Sequence, residues 1–231
     1  MDVYGARPRR LARTMASTAL SLTVLALAAG CTSGAARPAT ATAPSTGPAV
    51  ASASDDTAGG RTHSGQILVL GDSLAIGADD NGLSKLLKAD GWEPQIVADK
   101  GRSVRGGILA ATQEVPQVPP LTIVELGTNP SPTVATFAEE VDALVDLLHS
   151  RGATRIVWLT PVHHDDDRYD DKVNILNAKA RADSSVVVAD WRRVAWAHKA
   201  WFRGDGLHYT DVGFAALAKF IAATADINDP A

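Results

Sequence analysis

Residues 66–77 read Gln66-Ile67-Leu68-Val69-Leu70-Gly71-Asp72-Ser73-Leu74-Ala75-Ile76-Gly77. Four consecutive aliphatic residues closed by a glycine have the pattern of a short strand buried on both faces. The serine that follows sits where a strand turns into a helix. At such a turn its Oγ is presented at the edge of the sheet, and its N–H lies at a helix N-terminus, where developing negative charge is favoured. Gly71 and Gly77 permit the tight turn and a close approach. A plain helix cap at Asp72-Ser73 would leave the same local signature.

Outward from this stretch, strand and helix signals alternate. Leu83, Leu86 and Leu87 have helical spacing up to Gly91, and Pro94–Ala98 reads as a second strand. Leu121–Leu126 reads as a third. Ser131-Pro132 has the form of an N-cap followed by proline at the first helical position, and Val134, Phe137, Val141, Leu144, Val145 and Leu148 continue at a spacing near 3.6. Arg155–Leu159 is a fourth strand, Val173, Leu176 and Ala180 mark a helix, Ser185–Ala189 is a fifth strand, and Phe214, Leu217, Ala218 and Ile221 mark a last helix. Five apolar strands separated by helices imply a mostly parallel sheet covered on both faces. Sites in such sheets form at the carboxyl ends of strands, which selects the loops after Leu70, Ala98, Leu126 and Leu159.

Two further pieces fall in or near the places that matter. Gly127-Thr128-Asn129 follows the third strand, where an asparagine amide can point into a site; a turn asparagine is the plainer alternative. Asp205-Gly206-Leu207-His208 precedes the last helix, and its spacing of three lets one loop supply a histidine and the carboxylate that orients it.

The ends of the chain differ from its middle. Arg7, Arg9, Arg10 and Arg13 against Asp2 give residues 1–31 a net charge of +3, so the remainder carries −7 of the total −4. That acidic remainder offers no footprint for nucleic acid and favours solubility. Met15–Ala29 is almost wholly apolar or small but short of the about 20 residues a membrane span needs. It ends in Leu27-Ala28-Ala29-Gly30-Cys31, and Cys31 is the single cysteine of the 231-residue chain, which excludes an intrachain disulfide. Residues 32–64 are rich in Ala, Thr, Ser, Pro and Gly without apolar periodicity, the composition of a disordered tether. Its length corresponds to a reach of roughly 30 Å.

Taken together, Gly-Asp-Ser-Leu at 71–74, Gly-Thr-Asn at 127–129 and Asp-Gly-Leu-His at 205–208 resemble, in order, the blocks of the SGNH/GDSL hydrolase family over roughly Gln66 to Ile221. The resemblance implies a flavodoxin-like three-layer α/β/α sandwich with a mostly parallel five-stranded sheet, in a domain spanning 65–226 with a tail at 227–231. It implies Ser73 as nucleophile, His208 as general base and Asp205 as its partner. The oxyanion donors implied are the Ser73 N–H, the Asn129 amide and a glycine N–H after the second strand, at Gly101, with Gly106 and Gly107 as competitors. Pro130 stands where many members carry aspartate. With Asp99-Lys100-Gly101-Arg102-Ser103 and Asp190-Trp191, this looks more like the SGNH domains found with bacterial cell-wall O-acetyltransferases, and favours small acyl groups on carbohydrate over lipids. Residues 27–31 resemble a lipobox, which implies a lipid anchor at Cys31 on the outer face of a bacterial membrane, or secretion if the box is not used.

The expectation is therefore a monomeric extracytoplasmic serine esterase acting on a short acyl ester or acylated carbohydrate, with no cofactor, no metal and no nucleic-acid partner. An acyltransferase working with a membrane partner would use the same residues, and a non-catalytic glycan-binding lipoprotein is the third reading. His163-His164-Asp165-Asp166-Asp167 reads as a solvated loop at the rim rather than a metal site. Trp191, Trp196 and Trp201 are candidates for sugar stacking or for packing. Arg102 and Arg105 read as exposed loop residues, and His63, His149 and His198 as surface groups.

Overall fold

The computed structural model describes residues 63, 65–164, 166, 167 and 169–230. The 1–31 segment with Cys31, the rest of the 32–64 stretch apart from His63, and Asp165 lie outside the described residues. Five strands, β1 (Gln66–Gly71), β2 (Glu93–Ala98), β3 (Leu121–Glu125), β4 (Arg155–Leu159) and β5 (Val186–Ala189), form one sheet. Its order is β2-β1-β3-β4-β5 and every pairing is parallel. The helices are α1 (Ser73–Asp80), α2 (Leu83–Ala89), α3 (Val104–Gln113), α4 (Val134–Ser150), α5 (Tyr169–Ala182), α6 (Trp191–Trp196) and α7 (Asp211–Ile227), with a 3₁₀ turn at Lys199–Trp201.

Alternation along the strands divides the core in two. Ile67, Val69, Ile123 and Val157 face one layer, packed with Leu74 of α1, Leu83 and Leu87 of α2, and Phe214, Leu217 and Ile221 of α7. Leu68, Leu70, Val124 and Trp158 face the other, with Val104 of α3, Phe137, Val141, Leu144 and Leu148 of α4, and Leu176 of α5. Each aliphatic side chain so buried contributes about 1.5–3 kcal/mol by removal from water. The expected three-layer architecture is therefore present. The strand order reverses between β1 and β3, the crevice where folds of this order bind their ligands.

Two local expectations are corrected, and one helix is added. Helix α4 starts after Thr133, not Ser131: Thr133 Oγ1 accepts from Thr136 N at 3.0 Å, while Ser131 Oγ donates to Glu140 at 2.7 Å. Both residues can cap, and Pro132, which lacks an N–H, ends up in the loop. Helix α3 occupies the stretch between β2 and β3, to which the sequence alone assigns no element, and buries Val104, Gly107, Ala110 and Ala111 on one face. Gly107 is required there, since a Cβ would lie 2.4 Å from Leu126 Cδ1.

The second correction is His63, which is buried rather than exposed. Its ring stacks on Trp92 at 4.5 Å. Its Nε2 meets Asp226 at 2.7 Å and its Nδ1 meets Asp229 at 2.5 Å. Two ring nitrogens facing two carboxylates require the doubly protonated imidazolium. Burial lowers the pKa of this histidine, but the hydrogen bonds and charges of Asp226 and Asp229 outweigh it and raise the pKa above 6.5. A raised histidine pKa stabilises the fold below the unfolded value and loses that contribution as pH rises through the folded value. The melting-temperature difference between wild type and His63→Gln is expected to be largest below pH 6.5 and to shrink at higher pH; thermal melts across pH would show a flat difference if the ion pairs were idle.

Candidate active site

The turn from β1 into α1 is built by close contact. A Cβ at Gly71 would lie 2.3 Å from that of Ala75, and one at Gly77 2.2 Å from the Phe214 ring, so both positions require glycine. Asp72 caps α1 by accepting from Leu74 N at 2.9 Å, and Ser73 becomes the first helical residue. Its N–H belongs to the group that has no intrahelical acceptor.

The loop between the 3₁₀ turn and α7 brings His208 to Ser73. Phe202 bridges Tyr209 across its neck, and Thr210 N donates to Trp201 O at 2.8 Å. Asp205 Oδ1 accepts from the N–H groups of Leu207 (3.0 Å) and His208 (2.9 Å), and Oδ2 accepts from His208 Nδ1 at 2.8 Å. Nδ1–H is therefore the proton on that side, which leaves Nε2 as an acceptor. It faces Ser73 Oγ at 3.2 Å. Burial would raise the Asp205 pKa; the two backbone N–H groups and the imidazole reverse this and bring it down to about 2. The carboxylate thus stays ionised, and its contribution to stability is present above the usual aspartate range and lost as pH falls towards 2.

Ser73, Gly101, Asn129 and His208 line one cleft of about 470 Å³, with Ile76, Phe214 and Leu207 as apolar wall and Asp80, Lys100 and Arg203 at its polar margin. Gly101 has φ of +72°, which favours glycine. Neither rival glycine lines the cleft, and both rival N–H groups are engaged: Gly106 N donates to Ser103 Oγ and Gly107 N to Ser103 O. Asn129 Nδ2 donates to Asp72 Oδ2 at 2.8 Å and to Arg102 O at 3.2 Å.

Several supporting residues escaped the sequence reading. Arg102 is not an exposed loop residue: its side chain is 9% exposed and Nη1 donates to Val97 O at 2.8 Å, pinning the loop after β2. Arg105 is exposed, as expected. Tyr169 Oη donates to Thr128 O at 2.7 Å, and Lys172 Nζ donates to Gly127 O at 2.5 Å and to Asn129 O at 3.4 Å. Three successive carbonyls of the loop after β3 are thus held from α5. Burial lowers the Lys172 pKa, opposed by the charges of Asp166, Asp72 and Glu140. Glu125, inside the apolar third strand, is also buried; a carboxylate within such a run was the signal available.

The remaining candidates take other roles. Trp191 is buried, donates to Tyr209 Oη at 2.8 Å and stacks on Trp201 at 5.9 Å, so both pack beneath the Asp205–His208 loop. Trp196 is exposed beside His164, 5.3 Å between rings. His163 stacks on Tyr169 at 5.9 Å, and His164 N donates to Gly206 O at 2.8 Å, tying the rim loop to the Asp205–His208 loop. His149 is half-buried, against Ala153 O and Ser185 Oγ, whereas His198 is exposed and stacks on Trp201.

Among solved structures, the chain is similar to the lipase/acylhydrolase of Enterococcus faecalis, with 18% identity and a TM-score of 0.59 over 72% of this chain and 98% of that one. It is also similar to the C-terminal catalytic domain of Streptococcus pneumoniae peptidoglycan O-acetyltransferase A, with 22% identity and a TM-score of 0.56 over 71% and 93%. TesA matches at 19% identity and a TM-score of 0.56 over 69% and 97%. No protein-family model matches the sequence, and no curated protein matches it. The fold is that of the SGNH hydrolases.

Replacing Lys172 by methionine leaves the carbonyls of Gly127 and Asn129 without their donor. Such a loss costs about 1–3 kcal/mol, and denaturant unfolding of Lys172→Met is expected to show a drop of that size.

Proposed function

We propose that the protein is an extracytoplasmic serine esterase that removes short, acetyl-like acyl groups from carbohydrate through an acyl-enzyme on Ser73. The observation that carries the reading is the relay Ser73 Oγ–His208 Nε2, His208 Nδ1–Asp205 at 3.2 and 2.8 Å, inside a cleft that also contains Gly101 and Asn129.

In this reading Ser73 Oγ attacks the ester carbonyl carbon as His208 Nε2 takes its proton. Asp205 holds the imidazole in the required tautomer and offsets its charge. The oxyanion is received by the N–H groups of Ser73 and Gly101 and by the Asn129 amide. Of the two bonds Asn129 makes, that to Arg102 O is the longer and is the one exchanged for the oxyanion. His208 then protonates the leaving alkoxide, and water, activated by the same nitrogen, releases the acid. The charged margin of Asp80, Lys100 and Arg203 suits a hydroxylated alcohol portion better than a lipid tail. A lipid at Cys31 and the tether after it would keep the monomeric domain within roughly 30 Å of the outer membrane face.

A second reading is transfer of the acyl group to a sugar hydroxyl, with a membrane partner as donor. The likeness to the pneumococcal O-acetyltransferase domain supports it, and every residue named would keep its role. The third, a glycan binder without catalysis, has no use for the Ser73–His208–Asp205 relay.

The test is hydrolysis of p-nitrophenyl acetate and longer acyl esters by the chain from residue 32 on. Turnover is expected to fall with acyl length and to vanish in Ser73→Ala. Turnover that rises with acyl length would overturn the short-chain reading, and turnover appearing only with a sugar acceptor would favour transfer. Asn129→Ala is expected to keep the fold and lose about 10²–10³ in kcat; near-wild-type turnover would remove Asn129 from the oxyanion site.

A further inference from the structure

Two carboxyl groups lie together beneath the Ser73 helix. Asp72 follows β1 and has no exposed surface, and Glu125 ends β3 and is 5% exposed. Gly71 and Glu125 are register partners, so the two side chains meet across adjacent strands and interact directly. Among the described residues no lysine or arginine forms an ion pair or hydrogen bond with either one. The groups around them are His208 from the catalytic loop and Lys172 from α5, whose charges act on Asp72, and Tyr209, which is buried and neutral and feels both carboxyls.

Two adjacent carboxylates without a counter-ion do not both ionise in a dry site. The hydrogen bonds decide which one keeps the charge. Asp72 accepts from Leu74 N at 2.9 Å and from Asn129 Nδ2 at 2.8 Å, and it stands at the positive end of α1. The N–H groups of Asp72 and Ala75 approach Glu125, but its Oε2 is buried with no hydrogen-bond partner. Burial raises both pKa values, and that of Glu125 is further raised by the Asp72 charge.

We infer that Glu125 is protonated at neutral pH and donates its O–H to Asp72, making it a positioning residue for Asn129 and for the first turn of α1. The proton leaves Asp72 as the anion that orients the Asn129 amide on one side and the start of the Ser73 helix on the other. Without a donor at position 125, Asp72 would be a buried charge short of one hydrogen bond, free to draw the amide away from the cleft. The catalytic consequence rests on the esterase reading; the protonation does not.

Infrared spectroscopy of the chain from residue 32 on tests the proton directly. At pH 7 the wild type is expected to show a protonated-carboxyl band that is missing in Glu125→Gln. Absence of the band from wild type, or its persistence in Glu125→Gln with loss in Asp72→Asn, would overturn the assignment whether or not the protein hydrolyses any ester. Kinetics on p-nitrophenyl acetate test the positioning. Glu125→Gln keeps a donor and is expected to hold kcat within about threefold, whereas Glu125→Leu is expected to lose about tenfold or more in kcat with little change in KM. Equal loss of kcat in both variants would refute the role, as would full kcat in Glu125→Leu. Should Glu125→Leu fail to fold, Glu125→Gln and the infrared band decide.

Discussion

Parallel pairing of β1 with β3, Gly71 opposite Glu125, is the constraint on which the site depends. It sets the ends of two strands side by side at the crevice where the strand order reverses. Ser73 therefore starts its helix next to the loop carrying Asn129, and Asp72 can reach Asn129 across 57 residues of chain. A shift of one residue in that register would turn every β3 side chain to the opposite layer, and Val124 would face α1 rather than α4.

Two aspartates near Ser73 have opposite environments. Asp205 is half exposed and is held anionic by two backbone N–H groups and an imidazole. Asp72 is buried beside a second carboxyl and serves the architecture: it caps the start of α1, orients the asparagine and never meets the cleft surface. The distinction follows from burial, since a charge in contact with water needs few partners and a buried one needs all its lone pairs satisfied.

The loops that make the cleft are held from behind. Arg102 grips the end of β2, Lys172 and Tyr169 grip the carbonyls after β3, and Trp191 with Tyr209 forms the floor of the Asp205–His208 loop. Backbone groups that would otherwise be left short of partners are used as anchor points. Asp80, Lys100 and Arg203 stand at the margin of the cleft, apart from the hydrogen-bonded chain Ser73–His208–Asp205 at its base.

Much of this was legible in the residues. All five strands, helices α2, α4, α5 and α7, the turn at Ser73 and the pairing of Asp205 with His208 follow from short-range signals: apolar runs, 3.6-residue spacing, polar residues placed straight after strands, and a spacing of three within one loop. What the sequence by itself determined was the fold class and the residues of the relay, because those depend on local pattern. The tertiary structure alone decided which cap begins α4, that His63 is buried between Asp226, Asp229 and Trp92, and that Arg102, Lys172 and Glu125 support the site. Those roles depend on partners 3 to 166 residues away, and a side chain's charge or hydrogen-bonding capacity carries no mark of which group will meet it.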